Sequence, residues 1–208
     1  MRMATGRPIE FDPDQVVASA TAAFWSKGYE ATSLQDLLDA TGLSKSSLYQ
    51  SFGGKQQLFG RCISAYTDRM VALLLERLGD SDSAMQFIDS VLTEVGSEGA
   101  RGRRPIGCLV MNTASEFGQR EPVFAEWVDS GISRVRAVML RAVEQGQRAG
   151  EISRSRSAAA LADYLMSSIA GLRTMVKAGT PTKKVLGVVD LILDTLTGFA
   201  VDVLVEPH

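Results

Sequence analysis

Apolar positions recur along this chain at helical spacing from one end to the other, and no alternating strand pattern persists. Asp12 opens the first predicted helix, with Pro13 in its first turn, where a missing N–H costs nothing. Val16, Ala20 and Phe24 follow at every fourth residue, joined by Val17 and Ala23, until Lys27-Gly28 ends the run. Thr32 or Ser33 caps a short second helix, with Gln35 and Asp36 as capping-box partners and Leu34, Leu37 and Leu38 as its buried face; Gly42 breaks it. Ser44 caps a third helix, with Leu43 and Leu48 spaced as a hydrophobic staple, and this helix stops before Gly53-Gly54. A long helix runs from Lys55 to about Leu78, and Ile106 to Phe117 reads as another. Further helices are predicted from Pro122 to about Gln147, from Ser157 to Ala178 and from Lys183 to Val203. Between them fall breaks at Gly79-Asp80, in the Gly- and Arg-rich stretch Gly96 to Pro105, and at Glu121-Pro122. The pattern predicts an all-α chain: a three-helix head over residues 1–54 and a larger helical body over 55–208.

Composition narrows the function. Hydrophobic residues make up 45% of the 208 and charged residues 22%, enough for a full core without disulfide or metal staples. The net charge is −2, so any nucleic-acid affinity must come from local positive charge. Within residues 1–61 the bases Arg2, Arg7, Lys27, Lys45, Lys55 and Arg61 are balanced by Glu10, Asp12, Asp14, Glu30, Asp36 and Asp39. Non-specific DNA binding is therefore expected to be modest. The two cysteines, Cys62 and Cys108, form no C-x-x-C pair, and the one histidine is the last residue, His208. A zinc site and a histidine general base are both disfavoured, and no cofactor is expected. No apolar run reaches membrane-spanning length and no signal-peptide core opens the chain, which predicts a cytoplasmic protein with reduced thiols.

The chemistry that remains is recognition. Two short helices joined across Thr41-Gly42-Leu43 have helix-turn-helix spacing, and Gly42 permits a left-handed turn. If Leu34, Leu38, Leu43 and Leu48 pin them over Phe24, then Lys45, Ser46, Ser47, Tyr49 and Gln50 lie on or near the outward side of the third helix. Serine and tyrosine hydroxyls reach phosphates, lysine pairs with phosphate or guanine, and glutamine bonds adenine through two contacts. The helix N-termini at Thr32 and Ser44 add attraction for anions. The plainer alternative is a three-helix cap with a solvated face.

The run Phe24-Trp25-Ser26-Lys27-Gly28-Tyr29-Glu30-Ala31-Thr32-Ser33-Leu34 is followed by Thr41-Gly42-Leu43-Ser44-Lys45-Ser46-Ser47-Leu48-Tyr49, then Phe52-Gly53-Gly54-Lys55 and Leu58-Phe59. In order and spacing this resembles the head of the tetracycline-repressor (TetR) family over roughly residues 6 to 62, and Arg7 resembles the basic arm that often precedes it. The resemblance implies a homodimeric repressor, a palindromic double-stranded operator, and release by a small-molecule inducer held in the body. By position it implies that Thr32 and Ser33 meet phosphates, that Lys45, Ser46, Ser47, Tyr49 and Gln50 face the major groove, and that Lys55 clamps a phosphate. Gln50, Ser51 and Gln56 stand where many members carry other residues, which bears on operator sequence.

In the body, the last predicted helix is apolar around most of its circumference, and the one before it carries Leu161, Leu165, Ile169, Leu172 and Val176 beside small residues. Two such helices from each copy suit a four-helix interface built on Leu165, Leu172, Leu186, Val189, Leu193 and Leu196, which is also where the resemblance places the dimer. Cys108, Asn112 and Ser115 share the face of their helix opposite its apolar stripe, a face given either to solvent or to a cavity wall. With Phe87, Val91, Met111, Trp127 and Met166 they form the candidate ligand set, against the alternative that these side chains are simply core. Cys108 follows Arg103 and Arg104 near a predicted helix N-terminus, which favours an anion, so it is also a candidate electrophile or oxidant sensor. The competing readings are a transcriptional activator on the same scaffold and a helical enzyme, for which the body supplies no recognisable catalytic motif.

Overall fold

Side-chain caps decide where the helices of the head begin. The Asp12 carboxylate accepts from the Asp14 N–H and starts α1 (Pro13–Lys27). Ser33 and Asp36 exchange side-chain and backbone bonds in a complete capping box that starts α2 (Leu34–Thr41), while Gln35 turns away to Asp39. Ser44 accepts from the Ser47 N–H and starts α3 (Lys45–Phe52). Gly42, at φ 70°, supplies the left-handed turn between α2 and α3. The computed structural model describes residues 11–101, 106–118 and 120–198. Expectations on Arg7, Arg103, Arg104 and Val203 lie outside the described residues.

The body comprises α4 (Lys55–Asp80), α5 (Ala84–Ser97), a 3₁₀ turn (Glu98–Arg101), α6 (Leu109–Phe117), α7 (Pro122–Ala149), α8 (Ala158–Lys177) and α9 (Thr182–Thr197). No strand occurs among the described residues. Expected boundaries move at three places: α4 runs on through Gly79 and Asp80, α9 ends at Thr197 where Gly198 turns left-handed at φ 80°, and α6 starts at Leu109 rather than Ile106. Gly107 is left-handed at φ 73°, the Asn112 side chain donates to the Ile106 carbonyl at 2.7 Å, and Cys108 becomes the N-cap. A local hydrogen bond therefore outcompetes one more helical turn.

Two hydrophobic cores lie along α4. Val16, Ala20, Phe24, Leu37, Leu48 and Phe52 of the head pack with Leu58, Phe59, Cys62 and Ile63 of α4, and also with Leu109, Val110, Phe117 and Phe124 of α6 and α7. Leu74 and Leu78, one end of α4 further on, pack with α5, α7, α8 and α9. Met70 packs against both. The first core thus crosses residue 54. Trp127 of α7 rests on Gly60, where an added Cβ would come within 2.6 Å of its ring, so that helix contact requires glycine.

Candidate nucleic-acid interface

Helix α3 has one apolar and one polar side. Leu48 and Phe52 are buried, and Leu43 just before the cap is buried in the same core. Lys45, Ser46, Tyr49 and Gln50 are exposed, and Ser47 is half-buried. Tyr49 leaves half of its surface, 50%, to solvent although it is a large aromatic ring. The Ser44, Ser46 and Ser47 hydroxyls already bond one another at 2.8–2.9 Å, so a phosphate reaching them must share or displace those bonds.

Two expected phosphate contacts from the second helix fare differently. Thr32 is fully buried, its hydroxyl donates to the Gly28 carbonyl at 2.6 Å, and its N–H donates to the Tyr29 carbonyl at 3.2 Å. The structure therefore corrects that assignment: Thr32 holds the turn together from inside and has no donor left for DNA. Ser33 is exposed, but its hydroxyl is shared with Asp36. The Asp36 carboxylate also takes a salt bridge from Lys27 at 2.6 Å. The Lys27 and Ser33 bonds hold its pKa down, from an ordinary 3.8 to about 2. An anion thus already occupies the amino end of α2.

Lys55 begins α4 after Gly54, where no side chain caps the free amides. Its ammonium sits 4.3 Å from the centroid of the Tyr29 ring. That ring is wedged between head and body: Phe24 stacks at 5.9 Å, Phe59 lies at 4.9 Å, and Phe117 and Phe124 meet it edge-on at 5.5 and 4.9 Å. Burial, then the charges of Glu30, Glu116 and Glu121, raise the Tyr29 hydroxyl above its ordinary pKa. Sequence reading missed the tie between Tyr29 and Glu116, because it spans 87 residues of chain and carries no periodic signal.

The expected ligand set does not converge. Phe87, Val91 and Met166 belong to the distal core, whereas Cys108, Met111 and Trp127 belong to the proximal one. Ser115 is exposed and bonds back to the Met111 carbonyl, and Asn112 is held between the Ile106 carbonyl and the Lys177 ammonium. Cys108, off the main apolar stripe of its helix, is buried beside Tyr66, as the packing alternative expects, and the Tyr66 hydroxyl is raised in pKa by burial first and then by the thiol. A cleft of about 210 Å³ opens between the α4–α5 turn and the end of α7, and none of the eight residues lines it. The expected dimer set also needs correction. Leu165, Leu172, Val189 and Leu196 are at most 1% exposed within a single chain, so they serve its own core. Leu186 leans on Gly96 of α5, and Leu193 is half-buried. Periodicity identified the apolar face of each helix without saying which neighbour covers it.

Residues 16–62 match the model for bacterial regulatory proteins of the tetR family, and residues 87–185 match the tetracyclin repressor-like C-terminal domain. An uncharacterized HTH-type transcriptional regulator of Bacillus subtilis, YezE, is 31% identical over 195 residues, covering 92% of this chain and 99% of that protein. The chain belongs to the TetR family. This TetR-family regulator is also 27% identical to the Escherichia coli HTH-type transcriptional repressor ComR, over 89% of each chain. Among solved structures it resembles a cysteine-substituted form of the TetR-family regulator CifR bound to 26-base-pair operator DNA, with TM-score 0.78 and 25% identity over 92% of this chain and 100% of that one. It shares its fold with reduced Escherichia coli NemR, with TM-score 0.78 and 16% identity over 88% of this chain and 95% of that one. The protein is a DNA-binding transcriptional regulator.

Proposed function

We propose that the chain works as a homodimeric repressor that grips an inverted-repeat operator and releases it when a small molecule is taken up by the body. The carrying observation is the outward face of α3, where Lys45, Ser46, Tyr49 and Gln50 are exposed while Leu48 and Phe52 anchor the helix from behind. On this reading residues 1–54 read DNA, 55–208 regulate and dimerise, Lys55 clamps a phosphate, and Ser33, Ser44 and Ser47 are secondary phosphate contacts. Repression rather than activation follows the curated relatives, and regulation rather than catalysis follows the family. No helix among the described residues is long and apolar enough to cross a membrane, and we place the protein in the cytoplasm with its operator.

The dimer is assigned to the outer face of α8 and α9. Leu191 is 60% exposed, and Cβ atoms built on Gly171 and Gly187 would meet nothing within 4 Å, so a second copy can approach closely. Lys183 and Lys184 open α9 and Asp190 and Asp194 follow, a charge order that complements itself when two α9 helices cross antiparallel.

The test is an operator selected by the purified protein from random DNA. The expected product is an inverted repeat whose affinity falls steeply with salt. Lys55→Ala should weaken every sequence about equally and lower the salt slope by roughly one. Failure to enrich any inverted repeat would refute the reading.

A second reading makes a thiol the trigger. Its supporting observation is the position of Cys108 as the N-cap of α6, beside Tyr66 and next to Gly107, whose carbonyl accepts from the indole N–H of Trp25 in the head.

A further inference from the structure

Helix α6 is tied to the head at both ends. At its start the Trp25 indole N–H donates to the Gly107 carbonyl at 2.9 Å. At its finish the Glu116 carboxylate accepts from the backbone N–H groups of Tyr29, at 3.1 Å, and Glu30, at 2.6 Å. Those two amides lie in the turn between α1 and α2. A carboxylate is a strong acceptor for such groups, because the bond is charge-assisted. The turn is shaped to admit it: Gly28 is left-handed at φ 87°, and a Cβ there would stand 3.2 Å from a Glu116 oxygen.

The same turn carries the Tyr29 ring, which lies beneath the Lys55 ammonium and against Phe117 and Phe124. Movement of α6 therefore reaches the head by three direct contacts, two polar through Gly107 and Glu116 and one apolar through Phe117. None passes along α4.

We propose that Glu116 is a positioning residue for operator recognition, its carboxylate fixing the Tyr29–Glu30 turn and through it the set of the α2–α3 reader and Lys55 against the body. This rests on the DNA-reading function proposed above. Two heads of a dimer must stand about one DNA turn apart, roughly 34–36 Å, to match two half-sites. A head free to swing spreads over many separations and spends less of its time at the right one.

The experiment uses full-length protein and the inverted repeat selected by the wild type, together with versions whose spacer is lengthened or shortened by one or two base pairs. Glu116→Ala removes both bonds; Glu116→Gln keeps the shape but loses the charge and one of the two acceptors. In Glu116→Ala, affinity at the best spacing should fall about tenfold, as expected for lost charge-assisted bonds. Affinity at the poor spacings should change little, so that the spacing profile flattens. Glu116→Gln should fall between the two, with melting temperature and oligomeric state kept. An equal loss at every spacing would show a merely structural role and overturn the proposal, as would an unchanged profile.

Amide hydrogen exchange, measured without DNA, separates the causes. Tyr29 and Glu30 amides should exchange faster in Glu116→Ala than in the wild type. Unchanged exchange overturns the tie itself. A wild type that selects no DNA, with exchange behaving as expected, overturns the DNA reading and leaves the tie as plain structure.

Discussion

Two cysteines on one scaffold are set apart by what surrounds them. Cys62 faces α1, its thiol donating to the Val17 carbonyl at 3.7 Å, and burial pushes its pKa up to about 11 despite a bond with Thr21. Cys108 is also buried, but at the end of a loop rather than inside a helix. Alkylation at pH 8 followed by peptide mapping should leave Cys62 unlabelled, because almost none of it is thiolate there. If Cys108 labels quickly, and operator binding is lost with it but retained in Cys108→Ser, the thiol reading holds. If Cys108 labels no faster than Cys62, the thiol is packing and the trigger is a reversible ligand. Sequence placed Cys108 off the apolar stripe because it was counted as a residue inside a helix. As an N-cap in extended conformation it points elsewhere, into the proximal core.

At the scale of the element, the caps were legible and the tertiary partners were not. Asp12, Ser33 and Ser44 were readable as helix starts because a cap depends on neighbours two or three residues away. The choice between Thr32 and Ser33 was not, because it turned on the bond from Thr32 to Gly28. Ser33→Ala should cost the head about 1 kcal/mol by thermal or urea melting. The depressed Asp36 pKa adds a pH signature. Its contribution to stability is complete above the unfolded value, near 4, and is lost as pH falls through about 2. Asp36→Asn should therefore lower stability at neutral pH and approach the wild type as pH falls toward 2; an equal deficit at both pH values would show that Asp36 acts by shape alone. The Glu116 tie had no such local signature. A glutamate near the end of a short amphipathic helix reads as a solvated charge until the turn it meets is folded beside it.

For the whole molecule, the residues that sequence assigns to the interface between copies are the ones the single chain has largely used for its own core. The apolar circumference of α9 suggests burial on more than one side, and the chain itself buries one of them. Yet Val185, Val189, Ile192 and Leu196 are consumed by the chain's own core, leaving Leu191 as the large apolar side chain on the outer face. Leu191→Asp should convert the dimer to monomer in light scattering while keeping the helical signal, since an exposed position tolerates charge when no partner covers it. Leu196→Asp should instead unfold the chain, because it buries an unpaired charge in the core. If Leu191→Asp remains dimeric, the interface lies elsewhere.

The head of this protein is not a detachable reading tool. Phe117 and Phe124 close its core from the far side, and Tyr29 is sandwiched between them and Phe24. A chimera that joins residues 1–54 to a foreign regulatory body would leave that aromatic cluster facing water unless the new body supplied matching rings. Exchange of sensing bodies between relatives is constrained accordingly: the proximal half of α4, α6 and the start of α7 travel with the reader.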